Sequence, residues 1–459
     1  MSSDNSRINK IGSTTDLITG RAGLAPFCRY LESTGLINRL NAEYSSLKRS
    51  SKGLQVDDFF KQMMAWLMDG TSRHISYFND LKIDEGYAAT IETKIDNMAS
   101  SHAIGRMCEK FTKFHEVGFR DILLDYCIER MKLEKPKTLE FSVDSMVMDN
   151  DEANKRQGVH CTYKKVKGYH PMQIVWNGMI VDGIFRSGDK PTNEVTKTLS
   201  MIKRLIKRVR LELGDSCTII VRLDSGYYDK RIMDYLNSEN IAFIVSGKMY
   251  ESVKLAAQGI TESDWGEYEN GKMTWRFGEI GYKSKSWETF YRGIYTQQMT
   301  TENGQFLLDF ARPANIILTN IGVNPHVLSG LSSNEKELWL SATGIIKSHH
   351  ERGADELPHK ALKELGFETL PFHRFSENMV VYHCMVLCLA AFEGFKRDVI
   401  VDILPVTSSA NTIRRKFIDI AGKIISSSGS ITLKLRDAVL ERLSFSEIWI
   451  KSNYPPLLI

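Results

Sequence analysis

Two aspartates stand in stretches of sequence that are otherwise largely apolar. Asp144 lies within LEFSVDSMVMD, and Asp224 ends the β-branched run CTIIVRLD. Burying a carboxylate is costly unless the group is paired or binds a cation. Mg²⁺ prefers oxygen ligands and commonly binds one or two carboxylates together with phosphates and water. The two aspartates are therefore candidate Mg²⁺ ligands, and two such ions could act together on a phosphodiester.

The segments around these aspartates alternate between strand and helix patterns. Asn177-Gly178 is a tight-turn signal between two apolar runs, which predicts an antiparallel hairpin. The order strand, strand, strand, helix, strand, helix, strand indicates an α/β fold with a ribonuclease H-like mixed sheet, in which the first and fourth strands are neighbours and the two carboxylates meet. The predicted strands are 139–149, 169–178, 179–188, 217–228 and 241–249, and the predicted helices are 192–213 and 229–240.

Each aspartate taken alone also fits a structural role. Asp144 could pair with a nearby lysine, and Asp224-Ser225-Gly226 is a common turn composition. The two residues together favour chemistry, because a shared site explains both placements.

A third acid is expected in SHHERGADELPHKALKELG. Spacings of three, four and seven residues put its acidic and basic side chains on one side of a helix. Pro358 is tolerated only near a helix start, so the helix should begin just before it with Glu356 in or beside the first turn. A salt-bridged surface helix is the alternative, and Asp355 and Glu351 are rival acids. The residues that share this side are His349, Arg352, Glu356, His359, Lys360 and Lys363.

The acids and their spacing resemble the DDE transposases of bacterial insertion sequences. The motif His349-x2-Arg352-x3-Glu356-x6-Lys363 is similar to the Tyr-x2-Arg-x3-Glu-x6-Lys signature of the cut-and-paste branch, with histidine in place of tyrosine. LDSGYY after the second acid, a β-rich segment before the glutamate and HRFSENM after it add to the resemblance, which covers about residues 20 to 440.

The resemblance implies a ribonuclease H-like core that binds two Mg²⁺ ions, for which Mn²⁺ can substitute. Asp144, Asp224 and Glu356 would be the catalytic metal ligands. Arg352 and Lys363 would hold phosphate, with His349 a weaker candidate. It also implies that a freed 3′-OH attacks the opposite strand to form a hairpin, which is reopened before the end joins target DNA. One aromatic residue of the β-rich segment, Trp265, Trp275 or Trp287, could stack on a flipped base.

Local basic patches should provide the remaining DNA contacts, because the net charge of the 459-residue chain is only +4. Such contacts neutralise phosphates and act alike on all sequences. A solvated surface is the alternative for each patch. The predicted DNA contacts are Lys155, Arg156, Lys164, Lys165 and Lys167, then Lys360 beside Lys363, and Arg414, Arg415 and Lys416.

Composition places the chain among soluble proteins of a reducing compartment. It is 42% hydrophobic and has seven cysteines without a Cys-x-x-Cys pair. The N-terminus lacks an apolar signal segment, and the apolar run 379–392 is too short to cross a bilayer. We therefore expect a cytoplasmic, nucleoid-associated bacterial protein with no membrane partner.

Changes in pattern along the chain predict five regions. The chain should begin with an all-helical region that binds DNA ends, followed by a core interrupted by a β-rich insertion, and should end in a region for DNA binding or dimerisation. The predicted boundaries are 1–136 for the helical region, 137–250 and 335–400 for the core, 251–334 for the insertion and 401–459 for the C-terminal region.

The expected function is that of an insertion-sequence transposase. Its partners would be double-stranded DNA with terminal inverted repeats, target DNA and a second copy of the chain in a homodimeric synaptic complex. The alternatives are a nuclease of the same fold that does not join DNA, and a domesticated DNA-binding protein that has lost catalysis.

Overall fold

The computed structural model describes residues 8–192, 194–215, 217–284 and 287–459, without the side chains of 309 and 354–356. The chain forms two compact units. The first contains the described residues up to Met107 together with Phe395–Pro455, and the second contains Cys108–Gly394 with Pro456–Ile459. The boundary predicted at 136 thus falls within the second unit, because the last helix before the sheet packs against that sheet.

The N-terminal part of the first unit is mainly helical. Leu17–Thr19 is a strand, however, so this region is not entirely helical as predicted. It pairs antiparallel with a strand near the C-terminus, Leu17 opposite Ile424. The elements are β1 (Leu17–Thr19), α1 (Leu24–Ser33), α2 (Leu36–Tyr44), α3 (Val56–Asp69), α4 (Phe78–Leu81), α5 (Glu85–Thr90) and α6 (Ser101–Cys108).

The second unit is built on a large mixed sheet flanked by helices. Its first elements are α7 (Glu116–Glu134), β2 (Thr138–Ser145), β3 (Met148–Asp149), β4 (His160–Cys161), β5 (Lys167–Tyr169), β6 (Met172–Trp176), β7 (Met179–Ile184), α8 (Val195–Leu213), β8 (Thr218–Leu223), α9 (Lys230–Ser238) and β9 (Ala242–Ser246). Its later elements are α10 (Glu251–Gln258), β10 (Gly266–Asn270), β11 (Met273–Tyr282), β12 (Tyr291–Gln298), β13 (Ala314–Thr319), α11 (Ser333–Leu340), α12 (Ala342–Glu351), α13 (Glu356–Leu365) and α14 (Phe375–Asp398).

The remaining elements return to the first unit. A π-helical segment, Arg414–Ile418, precedes a hairpin that completes a three-stranded sheet in the order β1-β14-β15. These elements are α15 (Ala410–Ile413), β14 (Gly422–Ser427), β15 (Ser430–Lys434), α16 (Asp437–Arg442) and α17 (Phe445–Asn453).

The main sheet has nine strands in the order β10-β11-β12-β13-β9-β8-β2-β6-β7. β2 pairs parallel with β8 and antiparallel with β6, and β8 pairs parallel with β9. This confirms the prediction that the first and fourth predicted strands, here β2 and β8, are neighbours. The hairpin prediction is also confirmed: β6 and β7 are joined by Asn177-Gly178, both with positive φ as a two-residue turn of this type requires.

The strands of the predicted insertion extend this same sheet. β13 pairs antiparallel with β9, Ile317 opposite Ser246, and β12, β11 and β10 follow outward as a meander. The segment therefore shares the sheet of the core, because the free edge of β9 offers backbone donors and acceptors that β13 satisfies.

Helix α14 is long and apolar enough to cross a membrane, but its apolar window is completely buried within the protein. The sequence argument that this run is too short is therefore corrected, because the run belongs to a 24-residue helix. Its burial has the character of a core helix, which is hydrophobic on all sides because it is surrounded by protein.

A buried carboxylate joins two helices to the sheet of the second unit. Asp182 on β7 is fully buried and accepts from Arg120 of α7 at 2.8 Å and from Arg204 of α8 at 3.0 Å. Arg204 also pairs with Asp121. Arg204 of α8 therefore has a structural role, because it helps to hold α7 and α8 against the sheet.

We predict that Asp182→Ala destabilises the protein by about 3–5 kcal/mol, because it leaves two arginines without their buried partner. The melting temperature should fall by on the order of 10 °C. Asp121→Ala is the control, since that side chain is 48% exposed and its loss should cost about 1 kcal/mol or less. Equal melting temperatures for the two variants would contradict the assignment.

Candidate active site

The two predicted aspartates lie side by side at one edge of the main sheet. Asp144 is the next-to-last residue of β2, and Asp224 directly follows β8. The two strands are parallel and Val143 lies opposite Leu223, so the following residue of each strand carries one carboxylate. Both side chains are half-buried. The structure thus brings together two acids that are far apart along the chain.

Backbone amides orient both carboxylates. The amide of Ser145 donates to Oδ1 of Asp144 at 2.7 Å, and the amide of Gly226 donates to Oδ1 of Asp224 at 2.8 Å. Asp224 also accepts from the amide of Tyr227 at 3.3 Å, as the cap of the short 3₁₀ turn Ser225–Tyr227. The turn composition Asp-Ser-Gly therefore serves the site, because it fixes the direction of the second carboxylate.

A buried tyrosine lies within electrostatic reach of both acids. Burial raises the pKa of the Tyr227 hydroxyl, and the negative charges of Asp144 and Asp224 raise it further, while Ser145 and Arg186 oppose the shift. The hydroxyl therefore stays protonated near the pair. Tyr227 belongs to the LDSGYY segment, but the sequence alone did not assign it a position beside both acids.

His170 is a second buried group behind the acid pair. Its Nδ1 lies 2.9 Å from the carbonyl of Lys190, which can only accept, so Nδ1 carries the proton. Nε2 is then the acceptor for the Ser145 hydroxyl at 2.9 Å. Burial lowers the pKa of His170, and the Lys190 carbonyl partly opposes the shift. The hydrogen bond from its hydroxyl to His170 therefore fixes Ser145, whose amide orients Asp144.

The third predicted acid begins helix α13. Glu356 is its first residue and Pro358 lies in its first turn, which confirms the predicted helix start. The side chain of Glu356, and those of the neighbouring Ala354 and Asp355, lie outside the described residues. Its role as a third ligand therefore remains a prediction.

The two described carboxylates fit a divalent cation of the Mg²⁺ type. They supply hard oxygen ligands, they are adjacent, and each has one oxygen oriented by a backbone amide. Among the side chains that the structure describes, no group of three or more histidines, cysteines or acids is arranged to hold a metal. The aspartate pair thus supplies the candidate protein ligands within the described part of the chain.

His349 was predicted as a phosphate contact, and the structure shows it half-buried with its ring bonded to the sheet. Its Nε2 lies 2.7 Å from the hydroxyl of Ser246 at the end of β9. Its pKa is lowered to about 3, first by burial and then by the positive charges of neighbouring groups, including His350 and Arg352. A neutral imidazole bonded to the sheet makes a structural contact, and the predicted phosphate contact stays a prediction.

Arg352 stays a candidate phosphate ligand on the segment that precedes α13. It lies in the 3₁₀ segment Arg352–Asp355 between α12 and α13 and is half-buried. Its buried Nε makes no hydrogen bond within the described part of the chain. An unsatisfied buried donor is costly, so this atom is suited to an incoming acceptor.

Two of the predicted basic patches converge. Lys363 on α13 pairs with Glu368 at 2.8 Å, and Lys164 lies in the exposed loop between β4 and β5. Burial lowers the pKa of His359 to about 4, with further lowering by the charges of Lys363 and Lys164. Both ammonium groups therefore act on the same imidazole. Lys165 and Lys167 on the same hairpin and Lys360 on α13 are exposed.

The predicted pair Arg414 and Arg415 divides into one internal and one exposed residue. Arg414 is buried and donates to the carbonyls of Met68 at 2.9 Å and Leu67 at 2.6 Å, at the C-terminal end of α3. Its guanidinium caps this helix, which corrects the predicted DNA contact. Arg415 is exposed and stays a predicted DNA contact.

The three candidate tryptophans have different surroundings. Trp287 is only 8% exposed and packs among Tyr228, Tyr282 and Tyr291, so it cannot receive a base without unpacking. The other two are half-buried. The ring centre of Trp265 lies 4.4 Å from the Arg276 guanidinium and 6.0 Å from the Tyr295 ring, and that of Trp275 lies 4.6 Å from the His350 ring and 5.8 Å from the Tyr268 ring.

Sequence analysis missed Arg222, which lies two residues before Asp224. It is 8% exposed and donates from Nε to Ser142 at 2.9 Å. A usable signal was present: Arg222 is the one charge within the apolar run IIVRL, and strand alternation places it on the same face as Asp224.

Comparison with known proteins gives one family match. The profile described as "Transposase DDE domain group 1" matches residues 7–451. No curated protein matches the chain. Among solved structures, the cryo-EM structure of the piggyBac transposase synaptic complex with hairpin DNA aligns over 95% of this chain and 82% of that chain, with a TM-score of 0.41 and 14% identity.

We predict that His349→Gln flattens the acid limb of the stability profile. Below pH 6.5 an unfolded histidine binds a proton, whereas folded His349 does so only near its pKa of about 3. The folded state therefore loses stability as the pH falls from 6.5 toward 3, and the slope against pH should shrink by up to about one proton in the variant. Denaturant unfolding between pH 6.5 and 5 measures this slope.

His160→Gln is the matched control, because His160 is exposed. It should leave the slope unchanged. A wild-type slope for His349→Gln would contradict the assignment of His349 as a neutral interior residue.

Proposed function

Because the chain belongs to the family of transposase DDE domains, group 1, we propose that it cleaves and joins DNA at a site formed by Asp144, Asp224 and Glu356. The observation that carries this proposal is the parallel pairing of β2 with β8, which sets the first two acids side by side. A family match over nearly the whole chain and an acid pair at one sheet edge support the same chemistry.

A ribonuclease H-like core is part of the proposal. Its support is the strand order β7-β6-β2-β8-β9, with β6 antiparallel to its neighbours and β8 and β9 parallel to β2. In such a sheet the ends of β2 and β8 form a shared edge that is open to a large substrate. The half-buried state of both acids suits an extended duplex better than a small enclosed ligand.

The acids would hold two Mg²⁺ ions, with Mn²⁺ able to substitute. When bound, the ions supply activation of the attacking oxygen and stabilisation of the leaving oxygen of a phosphodiester. The backbone amides of Ser145 and Gly226 would orient the first two carboxylates toward the metal ions. The proposed sequence is hydrolysis at a transposon end, attack of the freed 3′-OH on the opposite strand to form a hairpin, hairpin reopening and joining to target DNA.

The basic residues around α13 would hold the DNA backbone. Lys164 and Lys363 both lower the pKa of His359, so the β4-β5 hairpin and α13 are neighbours and would together form one DNA-binding surface. Exposed Lys165, Lys167 and Lys360 extend it. Each phosphate contact adds salt-dependent affinity without selecting sequence. Arg352 would hold a phosphate closer to the acids.

The proposed partners follow from this chemistry. They are duplex DNA with terminal inverted repeats, target DNA and a second copy of the chain, so that each transposon end has one active site. A cytoplasmic protein associated with the nucleoid would meet these partners. Labelled transposon ends incubated with Mg²⁺ test the proposal: hairpins and joined products support it, nicks alone indicate a nuclease without joining, and binding without cleavage indicates a non-catalytic DNA-binding protein.

We predict that Asp144→Asn, Asp224→Asn and Glu356→Gln each abolish cleavage and leave end binding largely intact. Each change removes a negative charge that would bind the metal while it preserves side-chain size. Strand cleavage on labelled ends and gel-shift binding measure the two effects. Glu239→Gln, at an exposed site after α9, should cleave normally, and full activity in any acid variant would remove that residue from the site.

We predict that Lys363→Ala slows hairpin formation or strand transfer more than first nicking, because its ammonium would hold the strand that is repositioned between steps. Time courses that separate nicks, hairpins and joined products measure this. Glu368→Gln is the matched control, since it breaks the same 2.8 Å ion pair and keeps the ammonium. Equal slowing of every step by Lys363→Ala would count against this role.

A further inference from the structure

Three consecutive residues at the end of α12 contact three different parts of the main sheet. Ser348 contacts β2 and β8, His349 contacts the end of β9, and His350 contacts β11. These residues immediately precede the segment that carries Arg352 and Glu356. The end of α12, which precedes the candidate third acid Glu356, is therefore anchored to the main sheet.

The contact through Ser348 is the most deeply buried. The Ser348 hydroxyl donates to Oε2 of Glu140 at 2.8 Å, and its carbonyl accepts from Nη1 of Arg222 at 3.3 Å. Arg222 also pairs with Glu140 at 3.5 Å and donates to Ser142 at 2.9 Å. The four residues form one network that spans β2, β8 and α12.

The network lies on the same face of the sheet as the acids. Side chains two apart on a strand share a face, so Ser142 is aligned with Asp144 and Arg222 with Asp224. Arg222 and Ser142 are also opposite each other in the parallel register. The guanidinium therefore lies directly behind the carboxylate pair and reaches from there to α12.

The side contacts of α12 reinforce this placement. His349 is bonded to Ser246, the last residue of β9, at 2.7 Å. His350 packs against Trp275 of β11, with ring centres 4.6 Å apart. The helix is thus held at positions across the sheet, and the buried network connects its end to both strands that carry the acids.

We infer that Arg222, together with Glu140 and Ser142, is a positioning residue that fixes the end of α12, and hence Arg352 and Glu356, over the ends of β2 and β8. This inference rests on the proposed function. A buried arginine needs several partners to offset its desolvation, and here those partners come from all three elements that must be aligned. A small displacement of a reacting group costs about 100-fold in rate, so this alignment matters for cleavage.

Arg222→Met tests the inference, because it removes the charge and the donors and retains most of the length. We expect end binding within about 2-fold of wild type and cleavage slower by about 100-fold. Amide hydrogen exchange over 342–353 should rise, while exchange over 375–394 should stay unchanged. Arg222→Lys should recover part of the cleavage rate, because it keeps the charge next to Glu140.

Arg204→Met is the matched control. Arg204 is also partly buried and ion-paired, but its partner Asp182 faces the other side of the sheet, since it neighbours Gly183, which is in register with Gln173 and Asp144. This variant should lower the melting temperature without raising exchange over 342–353 or slowing cleavage by a similar factor. Glu140→Gln supplies a second, milder change to the network if Arg222→Met does not fold.

Several outcomes would overturn the inference. Wild-type cleavage and exchange in Arg222→Met would do so, and so would an equal loss of cleavage in Arg204→Met, which would point to general destabilisation. If the wild-type protein binds ends but does not cleave, the proposed function fails. The exchange data then still decide whether Arg222 anchors α12, so the two failures are distinguishable.

Discussion

The parallel pairing of β2 with β8 is the constraint on which the site depends. Two carboxylates at adjacent strand ends repel each other, and the backbone amides that bond each of them, together with their partial exposure, offset this repulsion. The pairing also sets the positions of everything around the acids. Arg222 and Ser142 lie two residues before the acids, on β8 and β2. Helix α12 is attached to these strands through Ser348.

Local patterns were sufficient to predict the central sheet. Each element has its own local signal: β-branched residues indicate the strands, Asn177-Gly178 indicates a turn, and apolar residues at helical spacing indicate α8. Short connections then leave few ways to arrange these elements. The buried residues of α8 include Ile202, Leu205 and Val209, which recur at helical spacing within the predicted helix 192–213. The first helix of the second unit was harder to place, because α7 is held to β7 by Arg120 and Asp182 and to α8 by Asp121 and Arg204, which lie far apart in sequence.

Roles of single polar residues were predicted less well, and the reason is physical. His349 and Arg414 have the chemistry of phosphate ligands, but their partners, Ser246 and the carbonyls at the end of α3, lie far away in sequence. Whether a cation faces water or the interior depends on those distant partners. The acids were easier to predict, because a carboxylate in an apolar strand is unusual whatever surrounds it. Arg222 carried the same kind of signal and would have been found by the same reasoning.

The first unit is assembled from two stretches of chain that are separated by the whole of the second. The stretch up to Met107 and Phe395–Pro455 share one core and one small sheet, in which β1 pairs with β14. During synthesis the early stretch leaves the ribosome without its partner strand, and it must wait until the remaining chain has been translated. A chain that ends after Gly394 would therefore contain a nearly complete second unit attached to an unfinished first one, a product exposed to proteolysis at its N-terminal end.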